Sequence, residues 1–191
     1  SVCYANNSDT LTLSGYYGSV QAWYVSTDGG NTWLVSSNTG TTYAYSNLTQ
    51  SIMVKAEVQS GVCAAAQSSQ VTIYVSPLAV GGILSSNATV CQVSNNGNIT
   101  LNGYVGNISG WATSIDTGNT WAPVANTTNA NPYTNLQQTT WYQAIVSSGV
   151  CPNDTSSIVT ITVDSASVGG IITKDSAFCM GHISDTLWLS N

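Results

Sequence analysis

Short runs of this chain alternate apolar and polar residues with a period of two. LTLSGY (11–16) and ITLNGY (99–104) open the pattern, followed by VQAWYVS (20–26) and SGWATS (109–114). TWLVS and TWAPV come next, then TTYAYSNL and NPYTNL, IMVKAEV and WYQAIV, and QVTIYV and IVTITV. Successive strand side chains point to opposite faces, so such runs predict half-buried strands. Turn residues (Gly, Asn, Ser) separate them, giving about seven strands per unit. No segment predicts a helix of three turns.

The runs come in pairs because the chain repeats. Cys3, Cys91 and Cys179 stand 88 residues apart. The same offset carries Gly15 to Gly103, Tyr16 to Tyr104, Trp23 to Trp111, Trp33 to Trp121, Tyr45 to Tyr133, Leu48 to Leu136 and Cys63 to Cys151. VGGI at 80–83 falls on VGGI at 168–171, and CMGHISDTLWLSN at 179–191 overlays CYANNSDTLTLSG at 3–15. A fixed period of this kind marks a tandem array. The expected fold is all-β: tandem immunoglobulin-like (fibronectin III-like) β-sandwiches. The expected boundaries are 1–78 for a repeat lacking its first strand, 79–166 for a complete repeat, and 167–191 for the first strands of a third, truncated one. The chain therefore reads as a window on a longer array. SPLAVGG (76–82) is a short connection, which predicts neighbours that touch and move little.

Charge narrows the classes of function. Only 5% of residues are charged, with a net charge of -6, no Arg, and Lys55 and Lys174 as the only cations. Nucleic acid and anionic lipid both need clustered Lys and Arg. No apolar run is long enough to span a membrane. Ten Tyr and six Trp supply core-forming residues. Asn, Ser, Thr and Gln must carry solubility, which suits an extracellular, cell-surface protein.

Five Cys at repeating positions suggest disulfides in an oxidising compartment. The leading pairing is Cys3–Cys63 and Cys91–Cys151, with the partner of Cys179 outside the chain. The alternative joins Cys63 to Cys91 and Cys151 to Cys179. Cys3 lies eight residues before Leu11, so the first pairing is not the usual bridge through a sandwich core.

STDGGNTW (26–33) and SIDTGNTW (114–121) fit S-x-D-x-G-x-T-W, the Asp-box. The pattern resembles that of sialidases, where it is a structural turn away from the active site; the absence of Arg removes the cluster those enzymes use to hold substrate. Asp28 and Asp116 can accept turn N–H groups, Gly30 and Gly118 can take a positive φ, and Trp33 and Trp121 can pack the hairpin. No carboxylate pair recurs at a glycosidase spacing. The only His is His182, expected in an exposed loop, so there is neither a serine triad nor a zinc cluster. No cofactor is implied; calcium at the two turns is a weak alternative, since each offers one carboxylate. The chain is not expected to be an enzyme. Trp23 and Trp111 are expected in the core.

N-x-S/T occurs at Asn6, Asn47, Asn87, Asn98, Asn107, Asn126 and Asn153. DTL and DSA resemble the O-glycosylation signal of Bacteroidota, which makes Thr10, Ser165, Ser176 and Thr186 candidate sites. The motifs C-x(7)-LTLSGY, W-x-x-S-x-D-x-G-x-T-W, Y-x-N-L, SGVC and SSxVTIxV together resemble the immunoglobulin-like repeats of giant Bacteroidota surface proteins, such as SprB-type gliding-motility adhesins and other type IX secretion substrates. The resemblance implies stalk repeats that hold a binding region away from the cell and bear force. The alternative is a carbohydrate-binding, lectin-like module. Expected partners are neighbouring repeats of the same chain or filament, and surface glycans. An open edge in the first unit is expected to accept a strand from another chain or from a preceding unit.

Overall fold

A computed structural model of the chain describes residues 1–85, 87–172, 180–181, 186 and 189–190. The first repeat contains β1 (Val2–Cys3), β2 (Ser8–Thr12), β3 (Ser19–Ser26), β4 (Leu34–Ser36), β5 (Thr42–Ser46), β6 (Ile52–Gln59), β7 (Ala66–Gln67), β8 (Val71–Ile73) and β9 (Val75–Ser76). The second contains β10 (Ile83–Leu84), β11 (Ala88–Cys91), β12 (Asn96–Asn102), β13 (Asn107–Ser114), β14 (Ala122–Val124), β15 (Ala130–Thr134), β16 (Thr140–Ser148), β17 (Cys151–Thr155) and β18 (Val159–Asp164). Beyond them, β19 (Ile171–Ile172) pairs with β20 (Leu189–Ser190). The described residues form strands and turns, with no helix.

In the second repeat, β10-β12-β15 makes one sheet and β11-β18-β16-β13-β14 the other, with β17 added beside β16. Strand β16 shows why these residues form a sandwich: buried and partly buried positions alternate along its whole length. Its inward side chains Tyr142, Ala144 and Val146 meet Leu84, Ile99 and Leu101 of the facing sheet around Trp111. Each large side chain so buried contributes about 1.5–3 kcal/mol. The fold is a tandem of immunoglobulin-like β-sandwiches, and the first repeat builds its own core around Trp23, Val54 and Ile73. The indole N–H groups of both core Trp residues are satisfied locally, Trp23 by Gly40 O at 2.9 Å and Trp111 by Thr128 O at 3.0 Å.

Two elements were not anticipated. The short strands β7 and β17 follow the SGVC turns and pair back onto β6 and β16. The cysteine-bearing strands β1 and β11 lie parallel to β9 and β18, which places Cys3 beside Ser76 and Cys91 beside Asp164.

Candidate functional site: the joint between repeats

The structure corrects the expected disulfides. Cys3 is bonded to Cys151 across the two repeats, with a Cα–Cα distance of 4.9 Å and a sequence separation of 148. Cys63 and Cys91 carry free, exposed thiols. Strand direction explains why the within-repeat pairs fail. Cys3 lies beside Ser76, at the end of β6 where Ser51 Oγ accepts the Val75 N–H. Cys63 follows the opposite end of β6, where its carbonyl accepts from Gln59 Nε2 at 2.9 Å. An eight-residue strand separates the two by roughly 25 Å, whereas a disulfide needs Cα atoms within about 7 Å. The alternative Cys63–Cys91 pair joins the two outermost ends of the tandem, so it fails too. Cys179 lies outside the described residues.

Head-to-tail stacking brings the correct ends together. The turn Ser148–Cys151 of the second repeat meets the last strand of the first. Cys151 Sγ is 3.5 Å from Ser76 O. Gly149, with φ +52, leaves no room for a Cβ against the Ser76 side chain. The connection is held as well: Val80 and Val105 exchange backbone hydrogen bonds at 3.0 Å, and Asp154 Oδ2 accepts the Gly81 N–H at 2.8 Å.

An asparagine, half-buried in the first repeat and buried in the second, fixes the cysteine strand in each. Asn7 Nδ2 donates to Cys3 O at 2.6 Å and to Leu48 O at 2.9 Å, while its Oδ1 accepts from Leu48 N. Asn95 makes the same bonds to Cys91 O, Leu136 O and Leu136 N. The sequence reading missed these residues, although Asn7 and Asn95 recur at the 88-residue offset and precede the Y-x-N-L turns they bind.

The two Asp-box turns are closed by their own side chains. Asp28 Oδ1 accepts from Ser26 Oγ and Thr32 N, and Oδ2 accepts from Thr32 Oγ1 at 2.6 Å. Ser26 Oγ in turn accepts the Gly30 N–H at 2.8 Å. Asp116 repeats the set with Ser114, Thr120 and Gly118. Gly30 and Gly118 have φ of 93° and 87°. The Thr32 hydroxyl, followed by its N–H and by Ser26, holds the Asp28 carboxyl well below the usual carboxylate range. The matching bonds from Thr120 and Ser114 lower Asp116 to about 2. Trp33 Nε1 donates to Gly30 O at 3.0 Å, and Lys55 Nζ sits 4.0 Å from the Trp33 ring centroid. Trp121 is likewise half-buried. Among the described residues, no three His, Cys, Asp or Glu side chains come together as metal ligands would.

The sequence profile of a domain of unknown function, DUF8696, matches residues 1–77 and again residues 80–165. The chain belongs to this family. Among curated proteins, none matches the chain in sequence. Solved structures similar to it include the fibronectin(III)-like modules of Clostridium thermocellum CbhA, at 10% identity and a TM-score of 0.33, covering 85% of this chain and 89% of that one. Domains A168–A170 of titin match at 15% identity and a TM-score of 0.48, covering 85% and 61%. The FN1–FN3 domains of chicken CNTN1 match at 14% identity and a TM-score of 0.35, covering 84% and 62%.

The two DUF8696 repeats differ at one edge. In the second, β10 pairs with β12 and is held by the connection between β17 and β18. Ser157 N donates to Gly82 O at 3.0 Å, Leu84 N to Ser157 Oγ at 2.9 Å, and Ser85 N to Thr100 O at 2.9 Å. A Cβ on Gly81 would strike the Thr155 carbonyl. The first repeat has no strand at this place. A groove of about 260 Å³ remains, lined by Leu11, Leu13, Trp23, Ser68, Ser69 and Val71. Val71 is 44% exposed there, while its counterpart Val159 is 1% exposed.

Of the glycosylation candidates, Thr10, Ser165 and Thr186 are exposed, and Ser176 lies outside the described residues, as does His182. Asn126 is committed to structure: its Nδ2 donates to Ala130 O and Asn131 Oδ1 at 2.9 Å. The other six N-x-S/T asparagines are exposed.

Proposed function

We propose that these DUF8696 repeats are stalk segments of an extracellular, cell-surface adhesin, extending a binding region from the cell and bearing force in attachment or gliding. A role as structural repeat modules follows from the tandem sandwich architecture. The observation that carries the finer reading is the Cys3–Cys151 bond, which ties consecutive sandwiches end to end across a short connection. A loose string of beads has no use for such a bond, whereas a stalk that keeps its direction does. The disulfide also suits an oxidising, extracellular setting, and among the described residues no helix is long and apolar enough to cross a membrane. The resemblance to SprB-type adhesins of Bacteroidota fits the same role.

The tryptophans weigh against a lectin-like surface: Trp23 and Trp111 are buried, and Lys55 covers Trp33. Single-molecule pulling tests the stalk reading. With the disulfide intact the load passes from Cys3 to Cys151 and residues 4–150 are shielded from extension. After reduction two separate unfolding events are expected, and unfolding of the reduced chain at forces too low to separate from entropic stretching contradicts the stalk reading.

A further inference from the structure

The joint seen once in this chain has two halves, and each half recurs with its cysteine free. One half is a donor end: a strand segment V-G-G-I-[L/I] together with the cysteine beside the last strand of its repeat. In the observed joint these are residues 80–84 and Cys3. The other half is an acceptor end: the groove that takes the segment, and the cysteine on the SGVC turn. In the observed joint the acceptor is the edge at Leu101 and Ser157, with Cys151.

Adding or subtracting 88 finds both halves again. Another donor segment, VGGII at 168–172, follows the second repeat and pairs with β20, and Cys91 lies beside that repeat's last strand. Ile172 is 65% exposed, while its counterpart Leu84 is 7% exposed in the groove. Cys91 is exposed, while its counterpart Cys3 is buried at 8%. The first repeat begins with another acceptor, the open groove at Leu13, Ser69 and Val71, with Cys63 exposed on its turn. Cys151, the counterpart of Cys63, is 7% exposed. Groove and thiol are independent features, and both are unfilled at the same end.

We propose that Cys91 with residues 168–172, and Cys63 with the Leu13–Val71 groove, are complementary ends of one repeating joint, each taking a further DUF8696 repeat by strand insertion and a disulfide. This rests on the stalk reading and names its partner. In the bond-forming step, two thiols lose two protons and two electrons to a small disulfide oxidant such as glutathione disulfide. An Sγ–Sγ bond forms, the oxidant's own disulfide breaks, and two thiols of the oxidant are released. Neither repeat's core has to open, because both cysteines lie on surface turns or edges.

The test is a three-repeat chain, with residues 79–166 duplicated in frame after Ala166, oxidised in a glutathione buffer and mapped under non-reducing conditions. The expected result is Cys91 linked to the duplicate of Cys151, beside the Cys3–Cys151 link that reports correct folding. Reduced Cys91 in a chain that has formed Cys3–Cys151, or Cys91 linked to Cys63 of the same chain, overturns the proposal.

The groove is tested on the unaltered chain with a synthetic peptide of residues 77–85. Backbone amide shifts confined to Leu11, Leu13, Ser69 and Val71, and lost when the peptide carries Gly81→Val and Gly82→Val, are expected. Equal binding of both peptides, or none of either, removes strand insertion. Neither measurement depends on force, so the joint and the stalk role can fail separately.

Discussion

Asn7 Nδ2 lies 2.6 Å from the carbonyl oxygen of Cys3, the cysteine that joins this repeat to the next. The same amide group reaches the Leu48 backbone 41 residues away. One side chain thus couples the sandwich's own turn to the placement of the inter-repeat bond.

Replacing the asparagine should be costly. Asn95→Ala leaves the Leu136 N–H and the Leu136 and Cys91 carbonyls without their buried partner. The expected loss is about 2–3 kcal/mol in the second repeat, seen as a drop of roughly 10 °C in its thermal midpoint. An unchanged midpoint would mean that the bonds are replaced by water at no cost.

The Asp-box turns should act on stability in acid. Their carboxyls titrate below the unfolded value near 3.8, with Asp116 at about 2. A lowered folded pKa stabilises above the unfolded pKa and is lost as pH falls through the folded one. The wild-type thermal midpoint should therefore fall between about pH 4 and pH 2. In Asp28→Ala and Asp116→Ala chains it should start lower at neutral pH and fall less over that window. Parallel pH profiles for wild type and variants would contradict this assignment.

Filling the glycine pair should uncover the second repeat. Gly81→Val drives a side chain into the Thr155 carbonyl and lifts β10. Leu84 then loses its burial, at about 2 kcal/mol, and Val159 takes on the exposure of Val71. Hydrogen exchange should speed up at Leu84 and Ser157 while Trp111 keeps its protection. Unchanged exchange at Leu84 would show that the backbone absorbs the side chain.

Breaking the joint should leave both sandwiches folded. The chain-entropy model assigns about 5 kcal/mol to closing a loop of this length. That figure applies to a single cooperative unit, and here each repeat keeps a separate core. Cys151→Ser should therefore change each midpoint far less, while small-angle scattering shows a wider spread of inter-repeat angles. Loss of either fold would show that the repeats are one unit.

Much of this was legible in the residues. Period-two runs and the 88-residue offset point to strands and sandwiches because burial alternates along each strand, as β16 shows. The core positions of Trp23 and Trp111 follow from their place in mid-strand. The cysteine pairing departs from the expected one because spacing in sequence carries no direction in space. Counting antiparallel strands from Cys3 to Cys63 would have put them at opposite ends of the sandwich, and only stacking of two repeats brings such ends together. Asn7 and Asn95 do not stand out because a chain rich in Asn hides the two whose amides are committed to the backbone. The open groove depends on a strand pairing, β10 with β12, that two residues are too short to announce.

Consecutive repeats are locked end to end by Cys3 and Cys151. Non-reducing peptide mapping of the oxidised chain tests this lock most directly. A linked peptide pair containing Cys3 and Cys151 is expected, with Cys63 and Cys91 alkylated as free thiols. Linked pairs joining Cys3 to Cys63 and Cys91 to Cys151 would contradict it.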